Sequence, residues 1–376
     1  MSERAARLAL SCVVEPATWK VTEQVAQHGA EQVWEELRRG SGREPLVQRA
    51  LQFEREAVLA QAEAAGMRFL IPGDPEWPVP LGDLEGCETV NDLSGSPLGL
   101  WVRGGGDLAA LAARSVAIVG SRACTSYGET IATELAAELG RSGVTTVSGG
   151  AYGIDAAAHR GCLASRSPTV AVLACGLDHH YPPAHRPLFE RIAEDGVLVS
   201  EFPPGAHPTR VRFLGRNRLI AAVSQLTVIV EAAARSGARN TVTWANCLNR
   251  VVAAVPGSVY SAQSYTPHRL VREAEAVLVS SAAEVLELLA PLGRAAPRVR
   301  SERRVTDGLS SEQLAVFEAV PSRGGLSVGE LSLRSGVPMA QCLGILDELA
   351  EQGLLEQDDR WDWRLPRRKR AQVPLF

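Results

Sequence analysis

The sequence lacks the features that would place it at once in a membrane, secreted or zinc-binding class. It has no apolar run of transmembrane length and no N-terminal pattern typical of a secretory signal. Its seven cysteines contain no C-x-x-C pair, so we expect neither a disulfide framework nor a structural zinc site. Lysine is nearly missing, because Lys20 and Lys369 are the only two. We therefore predict a cytoplasmic protein whose positive charge is almost entirely arginine.

What is present is the composition of an ordinary globular protein. The 376 residues leave room for two or three domains, with 45% hydrophobic and 22% charged residues. The formal net charge of −4 excludes a chain that is basic throughout. It does not exclude a local basic site, because a polyanion responds to the distribution of charge rather than to its sum.

The pattern of apolar residues predicts several domains. Helical spacing predicts a small helical domain over 1–66, of the SAM or helix-hairpin-helix kind. Over 67–290, strands that are apolar on both faces alternate with helices. This pattern predicts an α/β fold with an extended Rossmann-like, doubly wound, mostly parallel sheet, and a ligand at the carboxyl ends of its strands. A linker rich in arginine and proline (291–306), a C-terminal winged-helix domain (307–366) and a basic tail (367–376) are predicted to follow.

Two glycine-containing turns follow the first strands of the predicted sheet. In "SVAIVGSRACTSYG", Gly120 ends a strand, and the next two residues, Ser121 and Arg122, precede a helix. Backbone N–H groups at such a turn attract an anion, but a tight turn with a solvated arginine gives the same pattern. In "SGGAYGIDAAAHRG", Gly149 and Gly150 permit close approach of a ligand, and Asp155 is either a helix cap or a polar group at the site mouth.

The strongest local signal is the run from Gly205 to Arg250. It holds seven arginines against one acidic residue, a balance of +6 in a chain whose total is −4. Within it, Phe213 stands among arginines, as expected where phosphates pair with guanidinium groups and a base stacks on the ring. The same residues also fit a core phenylalanine beside a solvated face. Ser236, Gly237 and Thr241 form a second turn suited to anions at the same sheet edge.

Other chemistries receive little support. "DHHYPPAH" gathers histidines, but no second carboxylate motif accompanies them, and no G-x-S-x-G elbow is present. We expect no metal, no cofactor and no catalytic residue, and we expect His159 to be structural.

Seven short motifs of the chain, taken together, form a pattern that is specific for one protein family. The chain contains "VAIVGSR…YG", "SGGAYGIDAAAHRG", "AVLACGLDHHYPPAH", "SEFPPGAHP", "RFLGRNRLIAAVS", "VEAAARSGARNT" and "AVPGSV", in this order. Together they resemble the DprA/Smf family of DNA-processing proteins. The resemblance implies a homodimeric, non-enzymatic protein that binds single-stranded DNA, protects incoming strands in natural transformation or related recombination, and loads the RecA recombinase.

The resemblance also implies a set of contacts. It puts Arg122 in a phosphate pocket, and it maps the family motif F-x-x-R-N-R onto Phe213, Arg216, Asn217 and Arg218, with the aromatic ring contacting a base. The expected DNA-binding residues are Gly120, Ser121, Arg122, Gly149, Gly150, Arg210, Arg216, Asn217, Arg218, Ser236, Gly237, Arg239 and Thr241, with Phe213 for base stacking.

Departures from the family pattern leave two alternatives open. The 261–275 loop has Thr266, Pro267 and His268 in place of the usual glycine turn. One alternative is a nucleotide-processing enzyme of the lysine-decarboxylase-like Rossmann fold, although the P-G-G-x-G-T-x-x-E motif of that class is not matched here. The other is a regulator that binds duplex DNA through the winged helix, whose recognition stretch is acidic and poor in base-reading residues.

Overall fold

The computed structural model describes residues 1–290 and 305–366. The chain separates into two compact units, and the division falls between these two ranges. The predicted linker lies almost wholly outside the described residues, and the basic tail lies entirely outside them. No helix of the described residues is both long and apolar enough to cross a membrane.

Five helices begin the first unit. They are α1 (Glu3–Val13), α2 (Trp19–His28), α3 (Ala30–Arg38), α4 (Glu44–Leu51) and α5 (Arg55–Ala64). The apolar faces of the first four helices bury a common core that contains Leu10 and Trp34, whereas Ala62 of α5 packs in a separate core with Trp101. α1 also contacts the segment that follows the five helices, because Arg7 donates to the Leu98 carbonyl at 3.2 Å. The assignment of 1–66 as a SAM-like domain stays a prediction.

A nine-stranded sheet forms the centre of the first unit. Its strands are β1 (Met67–Leu70), β2 (Leu100–Arg103), β3 (Ser115–Val119), β4 (Thr145–Ser148), β5 (Thr169–Val172), β6 (Val197–Ser200), β7 (Leu226–Ile229), β8 (Val251–Ala254) and β9 (Val277–Leu278). Their order is β1-β2-β6-β5-β4-β3-β7-β8-β9. The pairs β1–β2 and β2–β6 are antiparallel and the other six pairs are parallel.

Helices cover both faces of this sheet. They are α6 (Leu108–Ala113), α7 (Ser126–Arg141), α8 (Ile154–Ala164), α9 (Arg186–Asp195), α10 (Arg210–Val223), α11 (Ala238–Cys247), α12 (Tyr265–Arg272) and α13 (Ala282–Leu289). All five residues of β3 are buried, because alternate side chains enter the cores on opposite faces. The predicted Rossmann-like, mostly parallel α/β fold is confirmed.

The strand order reverses beside β3. Strands β4, β5 and β6 follow one another on one side of β3, whereas β7 returns to its other side. The carboxyl ends of β3 and β7 therefore border the crevice in which ligands of doubly wound folds bind.

The second unit is small. It contains α14 (Ser311–Ala319), α15 (Val328–Ser335) and α16 (Met339–Glu351), followed by the hairpin of β10 (Glu356–Gln357) and β11 (Trp363–Arg364). Val316, Leu346 and Trp363 belong to its own core. Three helices and a hairpin are what the sequence predicts, and the winged-helix assignment itself stays a prediction.

Candidate nucleic-acid interface

A cavity of about 1030 Å³ opens at the carboxyl ends of β3 and β7. Of the predicted site residues, it brings together Gly120, Ser121, Arg122, Arg210, Phe213, Arg216, Asn217, Ser236, Gly237, Arg239 and Thr241. They come from three stretches of sequence, the turn after β3, the helix α10, and the turn before α11 together with the first turn of α11. Gly149, Gly150 and Arg218 do not line the cavity.

The turn after β3 forms one wall. Its first residue is tightly enclosed, because a Cβ on Gly120 would lie 2.5 Å from Ile154 Cγ1 and 2.8 Å from the Glu231 carbonyl oxygen. The Ser121 amide donates to that same carbonyl at 2.6 Å, which joins the ends of β3 and β7. The exposed Arg122 then extends over Phe213, with its Cζ 4.8 Å from the ring centroid. This geometry suits a cation–π contact.

Helix α10 supplies a second wall. Thr209 caps it, because its hydroxyl accepts from the Arg212 amide at 3.3 Å. Phe213, Arg216 and Asn217 share one side of the helix, since residues three and four apart are neighbours on a helix surface. Phe213 is half-buried at the mouth, whereas Arg216 and Asn217 are buried deeper inside.

Arg216 is the most unusual group in the cavity wall. Its side chain is 96% buried, yet Nε and Nη1 have no hydrogen-bond partner among the described residues. Burial lowers the pKa of Arg216 to about 10; the nearby Asp155 carboxylate opposes this shift, and Arg122 adds to it. A buried cation without a bonded partner is costly, so the arrangement favours an incoming anion.

Gly149 and Gly150 lie behind the cavity wall, where they pack against other side chains. A Cβ on Gly149 would lie 1.6 Å from Arg216 Nη1, so only glycine leaves space for the guanidinium group. Gly150 has a φ of 67° and packs on Phe189, where a Cβ would lie 2.6 Å from Cε1. Gly149 therefore makes room for Arg216 and Gly150 for Phe189, and neither residue lines the surface that a ligand meets.

The prediction that Arg218 contacts DNA is wrong. Its side chain is fully buried on the opposite side of α10, where Nη2 donates to Glu201 Oε1 at 2.6 Å. Nε also donates to the Gly95 carbonyl at 2.9 Å. All of these bonds lie in the interior, so Arg218 anchors α10 and cannot reach a strand in the cavity.

Asp155 is not a helix cap. Gly153 occupies the cap position of α8, whereas the Asp155 carboxylate accepts from the Gly149 amide at 3.2 Å and the Ala151 amide at 3.4 Å. Asp155 contributes to the cavity wall, and burial raises its pKa. It stands as the counter-charge near Arg216, without a direct ion pair between the two.

The turn before α11 forms the third wall. Ser236 Oγ accepts from the Ala238 amide at 3.3 Å, and α11 begins directly after Gly237. Arg239 reaches the cavity but pairs with Glu275 at 2.9 Å, which offsets its charge. Its expected phosphate contact is therefore weaker than that of an unpaired arginine.

Several cavity residues are absent from the predicted set, and three of them are polar or aromatic groups that a ligand could contact. The Tyr181 ring lies 5.5 Å from the Phe213 ring, and Arg235 and Asn240 also line the cavity. Tyr181 belongs to the loop "DHHYPPAH", whose histidines suggest a metal and whose sequence is part of one of the seven motifs, but neither pattern predicts a contact from Tyr181. The position of that loop after β5, at the same sheet edge, was the signal that could have found it.

The histidines have other partners. His180 lies 2.9 Å from Glu190, and His185 Nδ1 lies 3.0 Å from the Gly150 carbonyl oxygen. No group of three or more potential metal ligands is found among residues 1–290 and 305–366. His159 is completely buried, its Nδ1 lies 2.8 Å from Thr169 Oγ1, and burial lowers its pKa to about 3.

Comparison with known proteins identifies the family. A sequence profile described as "DNA recombination-mediator protein A" matches residues 68–290, more than half of the chain. The chain belongs to the DprA family. A putative DNA processing protein DprA of Mycobacterium tuberculosis is 43% identical over 359 residues, which cover 94% of this chain and 92% of that protein.

Two solved structures agree with this assignment. DprA from Streptococcus pneumoniae superposes with a TM-score of 0.63 and 29% identity, over 76% of this chain and 97% of that one. DprA from Helicobacter pylori, described for its single-stranded DNA binding mode, has a TM-score of 0.51 and 25% identity, over 60% and 97% of the two chains. The profile match over residues 68–290 contains every cavity residue named above.

Proposed function

We propose that the chain binds single-stranded DNA in the cavity between β3, α10 and α11. The observation that carries the proposal is Arg216, an almost fully buried cation in the cavity wall that forms no salt bridge with any described residue. A backbone phosphate satisfies such a group, because charge-assisted bonds from arginine to phosphate are among the strongest in proteins. The exposed Arg122, Arg210 and Arg235 add positive charge around it.

The aromatic pair explains why the ligand is a single strand. The Phe213 and Tyr181 rings lie 5.5 Å apart in the cavity wall, and Tyr181 is 42% exposed. The bases of a duplex stack on one another, whereas a single strand can turn a base face onto a protein ring. The single-stranded DNA binding mode described for the Helicobacter pylori relative supports this proposal.

The finer role follows from the family resemblance. We infer that the chain protects incoming single strands during natural transformation or related recombination and loads RecA onto them, as a homodimer in the cytoplasm. We further infer a binding protein without cofactor or catalysis. In the described cavity, Asp155 is the one carboxylate, and its bonds to two backbone amides hold it as a structural group.

The first test is fluorescence anisotropy with labelled oligothymidylate and a matched duplex over a salt series. Four cavity arginines (122, 210, 216 and 235) have no carboxylate partner among residues 1–290 and 305–366, and they predict a log–log salt slope of about −3, at about 0.7 per phosphate on single strands. Arg122→Ala is expected to reduce the slope by about 0.7.

Arg191→Ala is the matched control, since Arg191 pairs with Asp195 on α9 away from the cavity. Duplex preference, or an unchanged slope for Arg122→Ala, contradicts the proposal.

RecA loading needs a separate assay. RecA ATP hydrolysis is measured on single strands coated with single-strand-binding protein, with and without the chain. Loading predicts a shorter lag that Arg122→Ala lengthens again. If single strands bind but the lag does not change, the binding proposal stands and the loading proposal fails. Analytical ultracentrifugation tests the homodimer.

A further inference from the structure

Two amide side chains meet at the inner wall of the cavity. Asn217 Nδ2 on α10 donates to Asn240 Oδ1 on α11 at 3.1 Å. Each side chain is 8% exposed, and both contribute to the cavity wall. We call these two residues the asparagine pair.

The asparagine pair has hydrogen-bonding capacity left over. An amide group carries two N–H donors and one acceptor oxygen, so the bond between the two residues leaves the Asn240 NH₂, the Asn217 oxygen and the second Asn217 N–H. Asn240 Nδ2 has no partner among the described residues, and none of them donates to Asn217 Oδ1. If the oxygen and nitrogen positions of both amides are exchanged, Asn240 donates to Asn217 instead. One NH₂ group and one oxygen then again remain free in the pair.

The pair lies one helical turn below Phe213. Phe213 and Asn217 are four residues apart on α10, so they project from the same side of the helix. Phe213 is half-buried at the mouth and Asn217 is buried further in. A base whose face lies on the Phe213 ring therefore directs one edge toward the asparagine pair.

We propose that the asparagine pair receives the hydrogen-bonding edge of the nucleobase that stacks on Phe213, a proposal that rests on the proposed binding of single-stranded DNA. A phosphate offers acceptors only and would leave the Asn217 oxygen unpaired. The edge of a nucleobase offers donors and acceptors side by side. In a duplex, the Watson–Crick edge of each base is already hydrogen-bonded to the opposite strand. The asparagine pair therefore adds a second reason for selectivity toward single strands.

The first experiment changes the ligand and leaves the protein intact. Anisotropy titrations compare three labelled oligonucleotides of equal length: oligothymidylate, the same strand with shape-matched aromatic bases that lack hydrogen-bonding groups, and an abasic strand. The analogue strand is expected to bind about three- to tenfold more weakly than oligothymidylate, the share of one net hydrogen bond. The abasic strand is expected to bind more weakly still, because it also loses the stacking contact.

The second experiment changes one atom of the protein. Asn240→Asp still accepts from Asn217 Nδ2 and removes only the free donor, with little change in volume. The new charge affects all three strands alike, so the ratio of dissociation constants between analogue and oligothymidylate isolates the base edge. Asn249→Asp is the matched control, since Asn249 is exposed just beyond the end of α11. The ratio is expected to fall toward one for Asn240→Asp and to stay at the wild-type value for Asn249→Asp.

The outcomes separate the two proposals. If the wild-type chain binds none of the strands, the proposed function fails. If it binds oligothymidylate and the analogue equally, or if Asn240→Asp keeps the wild-type ratio, the base-edge proposal fails and DNA binding stands. Should Asn240→Asp not fold, as judged by circular dichroism, the comparison of the three strands with the wild-type chain still decides.

Discussion

Replacing Gly149 with alanine tests the phosphate pocket from behind. The φ of Gly149 lies outside the left-handed region, so the backbone accepts alanine. The new methyl group would lie 1.6 Å from Arg216 Nη1 and 2.5 Å from Cζ, whereas ordinary contact begins at 3.4 Å. The guanidinium group must therefore move by about 1.8 Å, away from its place in the wall.

The expected loss follows from what the displaced group donates. Hydrogen bonds to charged groups contribute about 1.5–3 kcal/mol, so single-strand affinity should fall about ten- to hundredfold. Losing one phosphate contact should also reduce the salt slope by about 0.7. Anisotropy with oligothymidylate over a salt series measures both quantities.

Two further variants make this test decisive. Gly105→Ala is the control, because a Cβ there meets no atom within 4 Å and the residue does not have a positive φ. Gly149→Ala combined with Arg216→Ala should bind no more weakly than Arg216→Ala alone, since both changes remove the same contact. Wild-type affinity and salt slope in a folded Gly149→Ala chain would refute the role given to Arg216.

Three other predictions concern separate features. Phe213→Ala should remove about 1–3 kcal/mol of single-strand binding and narrow the preference over duplex, as measured by competition titration. Arg218→Ala should lower the free energy of unfolding by about 3–5 kcal/mol, because it leaves the buried Glu201 carboxylate unpaired; a denaturant titration that shows normal stability contradicts this. Because burial lowers the pKa of His159 to about 3, the unfolded chain binds one more proton below pH 6.5, so stability should fall by up to about 1.4 kcal/mol per pH unit on acidification. His159→Gln should flatten that slope in unfolding curves taken at several pH values, and an equal slope would contradict the assignment.

The sheet could be predicted from the sequence because its strands are apolar on both faces. The apolar pattern predicts a strand over Val116–Val119, which lies within Ser115–Val119, and another over Thr169–Ala174, which overruns Thr169–Val172 by two residues. The overrun arises because Leu173 and Ala174 are buried beyond the end of the strand. Apolar patterning reports burial, whereas a strand ends where the ladder of hydrogen bonds ends.

The turns of the site could also be predicted, because parallel strands place their carboxyl ends at one edge. The side of a helix from which each residue projects could not be predicted. Asn217 and Arg218 are neighbours in the motif, yet one residue of helix turns the side chain by about 100°. That rotation sends Asn217 into the cavity and Arg218 to Glu201. Tyr181 escaped prediction for a related reason, since its position depends on the path of a loop.

The arginine run shows why charge in sequence differs from charge in space. Four of its seven arginines are paired, Arg212 with Glu15, Arg218 with Glu201, Arg239 with Glu275 and Arg250 with Asp83. All four acidic partners lie outside the run, so the balance of +6 overstates the local charge. The remaining three arginines all line the cavity, together with Arg122 from the β3 turn. A chain with a net charge of −4 can therefore attract a polyanion to one crevice, because folding pairs the other arginines of the run and leaves these four without a carboxylate partner in the part of the chain that the structure describes.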